Sequence, residues 1–461
     1  MQRVFKEVGT LDKKCYDEFG LTEDILMEHA SFGLYRAVPK KAKSVFIVAG
    51  VGNNGGDGIA LSRLLKGEKE VFLYLPMGVK SPMAKLQLER AKKVGVKIVD
   101  EMKEADVVVD AIFGSGLKRD LSKEIKELIK TLNSMNSYKI ACDIPTGIDE
   151  NGSVREIAFK ADITVTMGAL KESLFLDEAK DFIGKIKVID LGVSRELYEN
   201  ESDTFVLEKK DLKLPLRDKK NTNKGNFGHL GVVAGRKLGA SVLCAESAFA
   251  FGSGLVTVIE NEDYEIPHHI MSSCQIPKKT TAIAIGMGLG NIYDDEYLKK
   301  FLYHDKPLLI DADLFYNPII KDVLEKKEDI VLTPHPKEFS SLLKLCGIAD
   351  VGVDEIQKRR FFYAREFSKH YPKVVLVLKG ANVLISTENK LYINPLGTNV
   401  LSKGGSGDVL AGLIASLLAQ GYSPLEASIN GSLAHTLSAK SFKKNSYALT
   451  PKDLIEGVKS I

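Results

Sequence analysis

The stretch VFIVAGVGNNGGDGIALSRLLKG, residues 45–67, decides how the first half of the chain folds. A β-branched apolar run ends in Gly50-Val51-Gly52-Asn53-Asn54-Gly55, which satisfies G-x-G-x-x-G, and a helical pattern follows. In open α/β sheets such a loop lies at the carboxyl end of a strand, where backbone amides and the helix start face an anion. Gly50, Gly52, Gly55, Gly56 and Gly58 let the chain turn tightly and approach a phosphate. Asn53 and Asn54 tolerate left-handed backbone and supply amide groups. The reading is a phosphate or nucleotide near residues 52–58.

Working outward, short β-branched runs recur as EVFLYLP, DVVVDAIFG, KIACDIP, DITVTMG and KIKVIDLG, with helical patterns such as SKEIKELIKTL between them. Continuous apolar strands alternating with helices predict a parallel sheet covered on both faces. From about 197 to 226 the texture turns charged and poor in apolar runs, which sets the expected domain boundary. The second half repeats the α/β pattern in HLGVVAG, GLVTVIE, TAIAIGMGLG, PLLIDAD, DIVLTPHP and KVVLVLKG. A hairpin is expected around Thr387-Glu388-Asn389, then a long helix opening at KGGSGDVLAG. The expected fold class is α/β, two doubly wound domains in series.

A NAD-dependent dehydrogenase fails its next requirement, an acidic residue at the end of the second strand to hold the ribose. EVFLYLPMG ends in Leu75-Pro76-Met77, and an acid sits inside the loop instead, at Asp57. Asp57 reads equally as a helix N-cap or as a site residue. Asp110 closes DVVVD before the glycine turn Gly114-Ser115-Gly116, and Asp143 closes KIACD before Thr146-Gly147. Each alone reads as a turn cap. Three acids on one sheet edge beside a phosphate loop suggest proton transfer or cation binding.

In the second half, Lys403-Gly404-Gly405-Ser406-Gly407-Asp408 opens a helix with Leu410, Leu413 and Leu417 on one face. Its exposed amides form an anion hole at the positive end of the helix dipole. No G-x-x-x-x-G-K-[ST] occurs, so this is not a P-loop. Asp408 reads either as a first-turn acid favourable to the dipole or as the base of a phosphoryl transfer. An unperturbed Asp, with a pKa of about 3.9, is expected to be ionised at neutral pH.

The 461 residues are 44% apolar and 27% charged, with a formal net charge of +3 and no long block of one sign. That balance gives no support to a nucleic-acid or membrane-surface role. The five cysteines, Cys15, Cys142, Cys244, Cys274 and Cys346, show no C-x-x-C and read as structural thiols in a reducing compartment. The start MQRVFKEVGT lacks a signal-peptide core, and the longest apolar stretch, VLAGLIASLLA, falls far short of the roughly 20 residues of a spanning helix. A cytoplasmic protein is the expectation.

GVGNNGGDG, VVVDAIFGSG and CDIPTGID together resemble the epimerase domain of the NAD(P)H-hydrate repair enzymes. The resemblance implies a Rossmann-like three-layer domain over residues 1–205. It implies that Asn53, Asn54, Gly55, Gly56 and Asp57, with Gly114, Ser115, Gly116, Leu117, Lys118, Arg119 and Asp120, hold a hydrated nicotinamide nucleotide. By the same resemblance Asn54, Asp110 and Thr146 surround a potassium ion (K+), and Asp143 faces the nicotinamide ring as the proton-transfer group.

VVAGRKLGASVLCAESAFAFGSGLVTV, AIGMGLG, LLIDAD, TPHPKEF, LKGANVLI and GGSGDVLAG run in the order of the family's dehydratase domain, which is ribokinase-like. This domain is expected over 226–461, with a linker at 206–225. The resemblance implies that Ala240, Gly288 and His335 contact the hydrate, and that Lys379, Gly380, Ala381, Asn382, Val383 and Gly407 hold the adenine nucleotide. Asp408 becomes the base. His335 reads equally as a cap at a strand end, and Asp311 and Asp313 as structural caps. ADP, with ATP as the alternative, and Mg2+ are the implied co-substrate and metal. NADHX and NADPHX are the substrates, and a homo-oligomer is expected.

Two departures stand out. The family usually has Gly where Lys337 stands, and an Asn-, Pro-, Gly- and Met-rich stretch where residues 397–403 read GTNVLSK. The rival readings are a ribokinase-like small-metabolite kinase with an accessory nucleotide-binding domain, and a nucleotide-sensing module on retired sites.

Overall fold

The apolar run that opens the glycine loop forms the strand Ser44–Ala49, with both faces covered. Val45, Ile47 and Ala49 point into one apolar cluster and Phe46 and Val48 into another on the opposite face. This two-residue alternation with both faces apolar is what a buried parallel strand requires. The computed structural model describes residues 1–117, 119–260 and 265–461. It divides into two units, one of Arg3–Ser202 and one of Asp203–Ile461 with Met1–Gln2.

In the first unit, seven strands among the described residues form an all-parallel sheet. Their order is Lys97–Val99, Glu70–Tyr74, Ser44–Ala49, Val107–Ala111, Tyr138–Cys142, Ile163–Met167 and Lys185–Ile189. The chain order reverses between Ser44–Ala49 and Val107–Ala111, the switch point at which open α/β sheets bind ligands. Helices Glu23–Tyr35, Pro82–Lys93 and Lys123–Ser134 start where Thr22, Ser81 and Ser122 accept the amide hydrogen bond that an N-cap supplies.

In the second unit the strands Met271–Ser273, Leu255–Ile259, His229–Val233, Ala282–Ile285, Leu308–Ile310, Ile330–Leu332 and Val374–Leu378 lie parallel in that order. Val383–Ser386 and Leu391–Asn394 follow as the antiparallel hairpin, closed by Thr387 and Lys390. A second switch point falls between His229–Val233 and Ala282–Ile285. Helix Ser406–Ala419 is buried almost throughout. It approaches helix Leu238–Ala250 so closely that a side chain on Gly412 would meet Ser247 Oγ at 2.0 Å.

The architecture is mixed α/β with parallel sheets in both units, as the alternating patterns require. Residues 206–225 contain Leu207, which is buried, and Leu212 and Leu214, which pack against the second unit's core. All five cysteines are free thiols. No helix among the described residues is long and apolar enough to cross a membrane.

Two candidate active sites

Helix Asn53–Leu65 begins at Gly52, and no side chain caps it, so its first amides stay open. The glycines make the turn possible by close packing. A side chain on Gly50 would meet the Ile112 carbonyl at 2.0 Å, and one on Gly55 the Gly50 carbonyl at 1.9 Å. A cavity of about 370 Å³ lies over this helix start. Asn53, Asn54, Asp57, Gly114, Ser115, Gly116 and Asp143 all line it, so the switch point gathers seven of the residues picked out in the sequence.

Asp57 is not the N-cap, since the cap is Gly52 and Asp57 lies a full turn inside the helix. Its carboxyl is buried, 3.9 Å from Cys142 Sγ. Burial, reinforced by Asp143 and Asp12, pushes it well above the carboxylate range. Asp110 lies beneath the floor, accepting from the Thr146 hydroxyl and amide, each at 2.7 Å, and from the Ile112 amide. Burial raises it to about 6 against the pull of those bonds. The side-chain amide atoms of half-buried Asn54 are shielded from solvent, and neither Oδ1 nor Nδ2 has a hydrogen-bond partner. An orphaned amide of that kind signals a missing ligand.

Asp143 takes a left-handed backbone, φ 67°, rare for a residue with a side chain. Its Oδ1 accepts from Lys171 Nζ at 2.6 Å, and its Oδ2 from the Ser115 amide at 3.3 Å. Burial works to raise this carboxyl, but the Lys171 ammonium, the Met167 amide and the Thr166 hydroxyl together outweigh burial and hold it below the ordinary value.

Several residues named with this site stand elsewhere. Gly55 and Gly56 serve packing, Leu117 is buried in the apolar cluster with Phe159, and Asp120 is exposed beside Arg155. Arg119 is exposed, and Lys118 lies outside the described residues.

In the second unit, Gly405 caps helix Ser406–Ala419 with φ 88°, and again no side chain covers the first amides. A side chain there would lie 2.6 Å from Pro451 Cγ. Lys379 Nζ reaches to 3.5 Å from where a side chain on Gly407 would begin, bonded to Asp311 Oδ1 at 2.9 Å. Burial, then Asp311, push Asp408 up to about 7, with Lys379 pulling the other way. The expectation of an Asp408 fully ionised at neutral pH is therefore corrected: removed from water and beside other carboxylates, it holds its proton longer.

His335 caps helix Pro336–Leu345: Nδ1 accepts from the Glu338 amide at 3.2 Å, and Nε2 lies 3.1 Å from Glu338 Oε1. Gly288, at φ 61°, brings its backbone against Ala240, so those two residues share one corner. Gly380 and Ala381 form the exposed hairpin turn, while Asn382 and Val383 are buried. Lys337 is exposed in the first turn of its helix.

Residues 230–459 match the family model described as NAD(P)H-hydrate dehydratase, and residues 23–173 match the YjeF-related protein N-terminus. A curated bifunctional NAD(P)H-hydrate repair enzyme from Helicobacter pylori is 47% identical over the whole of both chains. The chain belongs to the bifunctional NAD(P)H-hydrate repair enzymes. A member of that family from Dictyoglomus turgidum is 33% identical, covering 98% of this chain and 96% of its own. The solved ADP/ATP-dependent NAD(P)H-hydrate dehydratase from Bacillus subtilis, co-crystallised with ATP/Mg2+, is 27% identical over 53% of this chain and 92% of its own, with a TM-score of 0.45.

Within this repair-enzyme chain, sequence patterns missed Lys171, Asp12 and Glu338 and read Asp311 only as a structural cap. Lys171 and Asp12 line the first cavity, and Asp311 and Glu338 surround Lys379 in the second unit. None carries a glycine-rich motif. ITVTMGALK could have drawn notice only as a Lys at the end of a buried run.

Proposed function

We propose that the first unit interconverts the R and S hydrates of NADH and NADPH and that the second dehydrates the S form at the expense of ADP, with ATP as the alternative donor. The observation that carries this reading is a repeated arrangement. In each unit an uncapped, glycine-opened helix start lies beside a carboxylate, Asp143, buried, in one and Asp408, half-buried, in the other. Open amides suit phosphate oxygens, and a carboxylate beside them suits proton transfer.

In the second unit Asp408 takes the proton of the hydrate's hydroxyl as that oxygen attacks the terminal phosphoryl group. The amides of Gly407 and Asp408 and the Lys379 ammonium stabilise the charge on the transferred group. Phosphate is a far better leaving group than hydroxide. The ring-nitrogen lone pair then expels it, loss of a ring proton restores the dihydropyridine, and ADP has become AMP plus phosphate. Magnesium, when carried on the nucleotide, would neutralise phosphate charge; the oxygen donors of Asp313 suit such a hard cation.

In the first unit the hydrated carbon is inverted, and Asp143 takes and returns the proton of its hydroxyl. A potassium ion fits the oxygen donors of Asn54, Asp110 and Thr146, and the orphaned Asn54 amide supports a ligand there. It would supply positive charge for the substrate's phosphates.

Asp408→Asn tests the division of labour. Loss of nucleotide-dependent dehydration with epimer exchange intact supports it, and equal loss of both would contradict it.

A further inference from the structure

Among the described residues lining the first cavity Lys171 is the only cation, and it is 2% exposed. An ammonium has three donors and no acceptor. All three are engaged within the protein, by Asp143 Oδ1 at 2.6 Å, Thr166 Oγ1 at 2.9 Å and the Met167 carbonyl at 3.1 Å. Lys171 therefore keeps no N–H for a substrate.

The two oxygens of Asp143 are unequal. Oδ1 also accepts the Thr166 hydroxyl at 3.1 Å and the Met167 amide at 3.2 Å. Oδ2 receives a single long bond from the Ser115 amide, and it lies 3.1 Å from where a side chain on Gly114 would begin, on the cavity wall.

We infer that Lys171 is a positioning residue for epimerisation, tying down Asp143 Oδ1 so that Oδ2 alone meets the substrate's proton. The inference rests on the role given to Asp143 above. The backbone supports it from both sides. Lys171 lies in the short strand Leu170–Lys171, held in register by Phe5, and the left-handed φ of Asp143 fixes where its side chain leaves the chain.

The other titratable groups around the pair are acids and neutral donors. Asp57 comes from helix Asn53–Leu65, Asp12 from helix Gly9–Phe19 with the Tyr198 hydroxyl on it, and Cys142 from the neighbouring strand. Burial pushes Asp57 and Asp12 up, whereas Asp143, hydrogen-bonded to Lys171, lies below its ordinary value. Of these three carboxylates, Asp143 is the one Lys171 hydrogen-bonds.

The test uses the full chain with Lys171→Ala and Lys171→Met, following R-to-S exchange, with the thermal melt of each variant as the measure of folding and dehydration of purified S hydrate as the measure of active chain. Exchange is expected to fall by about 100-fold in kcat with KM little changed, the size of a lost proton-transfer arrangement. Added methylammonium, entering the space left in Lys171→Ala, should restore about tenfold, as a group freed from the chain can still supply its charge. Either variant exchanging within about threefold of the parent overturns the inference, since a group governing proton transfer is worth far more. So does a loss in both that appears only in KM and does not respond to the amine. An Asp143→Asn chain that exchanges normally would instead overturn the role of Asp143 itself.

Discussion

Lys379 Nζ lies 2.9 Å from Asp311 Oδ1, and together they bring a buried cation to the open start of helix Ser406–Ala419. Burial favours the neutral amine, but Asp311 and then Glu338 more than offset it and keep the Lys379 ammonium charged. Asp311 is thus a holder of the phosphoryl-binding charge as well as a strand-end residue. Asp311→Asn should lower kcat for dehydration by about 10- to 100-fold, in the range of a lost transition-state contact. Epimer exchange should not change. Recovery of dihydronicotinamide absorbance from pure S hydrate measures the first, and unchanged dehydration would remove Asp311 from this role.

Asp408 gives a pH prediction with a definite sign. Its carboxyl is raised to about 7, so the basic form is the minority below that pH and dominates above it. Dehydration kcat/KM should therefore rise about tenfold per pH unit on the acid side and level off above about 7. Lys379→Met removes the one influence pulling Asp408 down and should move the limb to higher pH. A profile flat from pH 5 to 8 would argue against Asp408 as the base.

The orphaned Asn54 amide predicts a cation effect confined to the first unit. Replacing potassium with a bulky organic cation should slow epimer exchange in the parent chain. Asn54→Ala should exchange slowly and respond little to potassium. Dehydration of S hydrate should not distinguish the two. An Asn54→Ala chain still strongly stimulated by potassium would place the cation elsewhere.

Backbone conformation at Asp143 offers a test independent of activity. At φ 67° a side chain costs about 1–2 kcal/mol that glycine does not incur. Both Asp143→Gly and Asp143→Ala remove the carboxylate, but the glycine variant should be the more stable by about 1 kcal/mol. Denaturant midpoints of the two variants measure the difference; equal midpoints would mean the left-handed geometry is not maintained.

Much of this was legible in the sequence, because strands covered on both faces read as unbroken apolar runs and the glycine loops at the switch points carry local signatures. Ser44–Ala49, Val107–Ala111 and the loop after each were found that way, as was the hairpin ending at Leu391–Asn394. Lys171 and Asp311 were not, since their meaning depends on partners 28 and 68 residues away in the chain. The shift of Asp408 was equally hidden: its motif marks an acid, while the carboxylates that raise it come from other strand ends. The N-cap alternative for Asp57 failed because the helix is capped at Gly52, five residues earlier than a cap at that position requires.

The most direct measurement follows the absorbance of dihydronicotinamide as a mixture of R and S hydrates meets the full chain, potassium and ADP, then ATP in a second run. Complete recovery of both epimers is the predicted result, falling to the S share alone in Asp143→Asn. No recovery with either nucleotide, or recovery of both epimers by Asp408→Asn, would contradict the account.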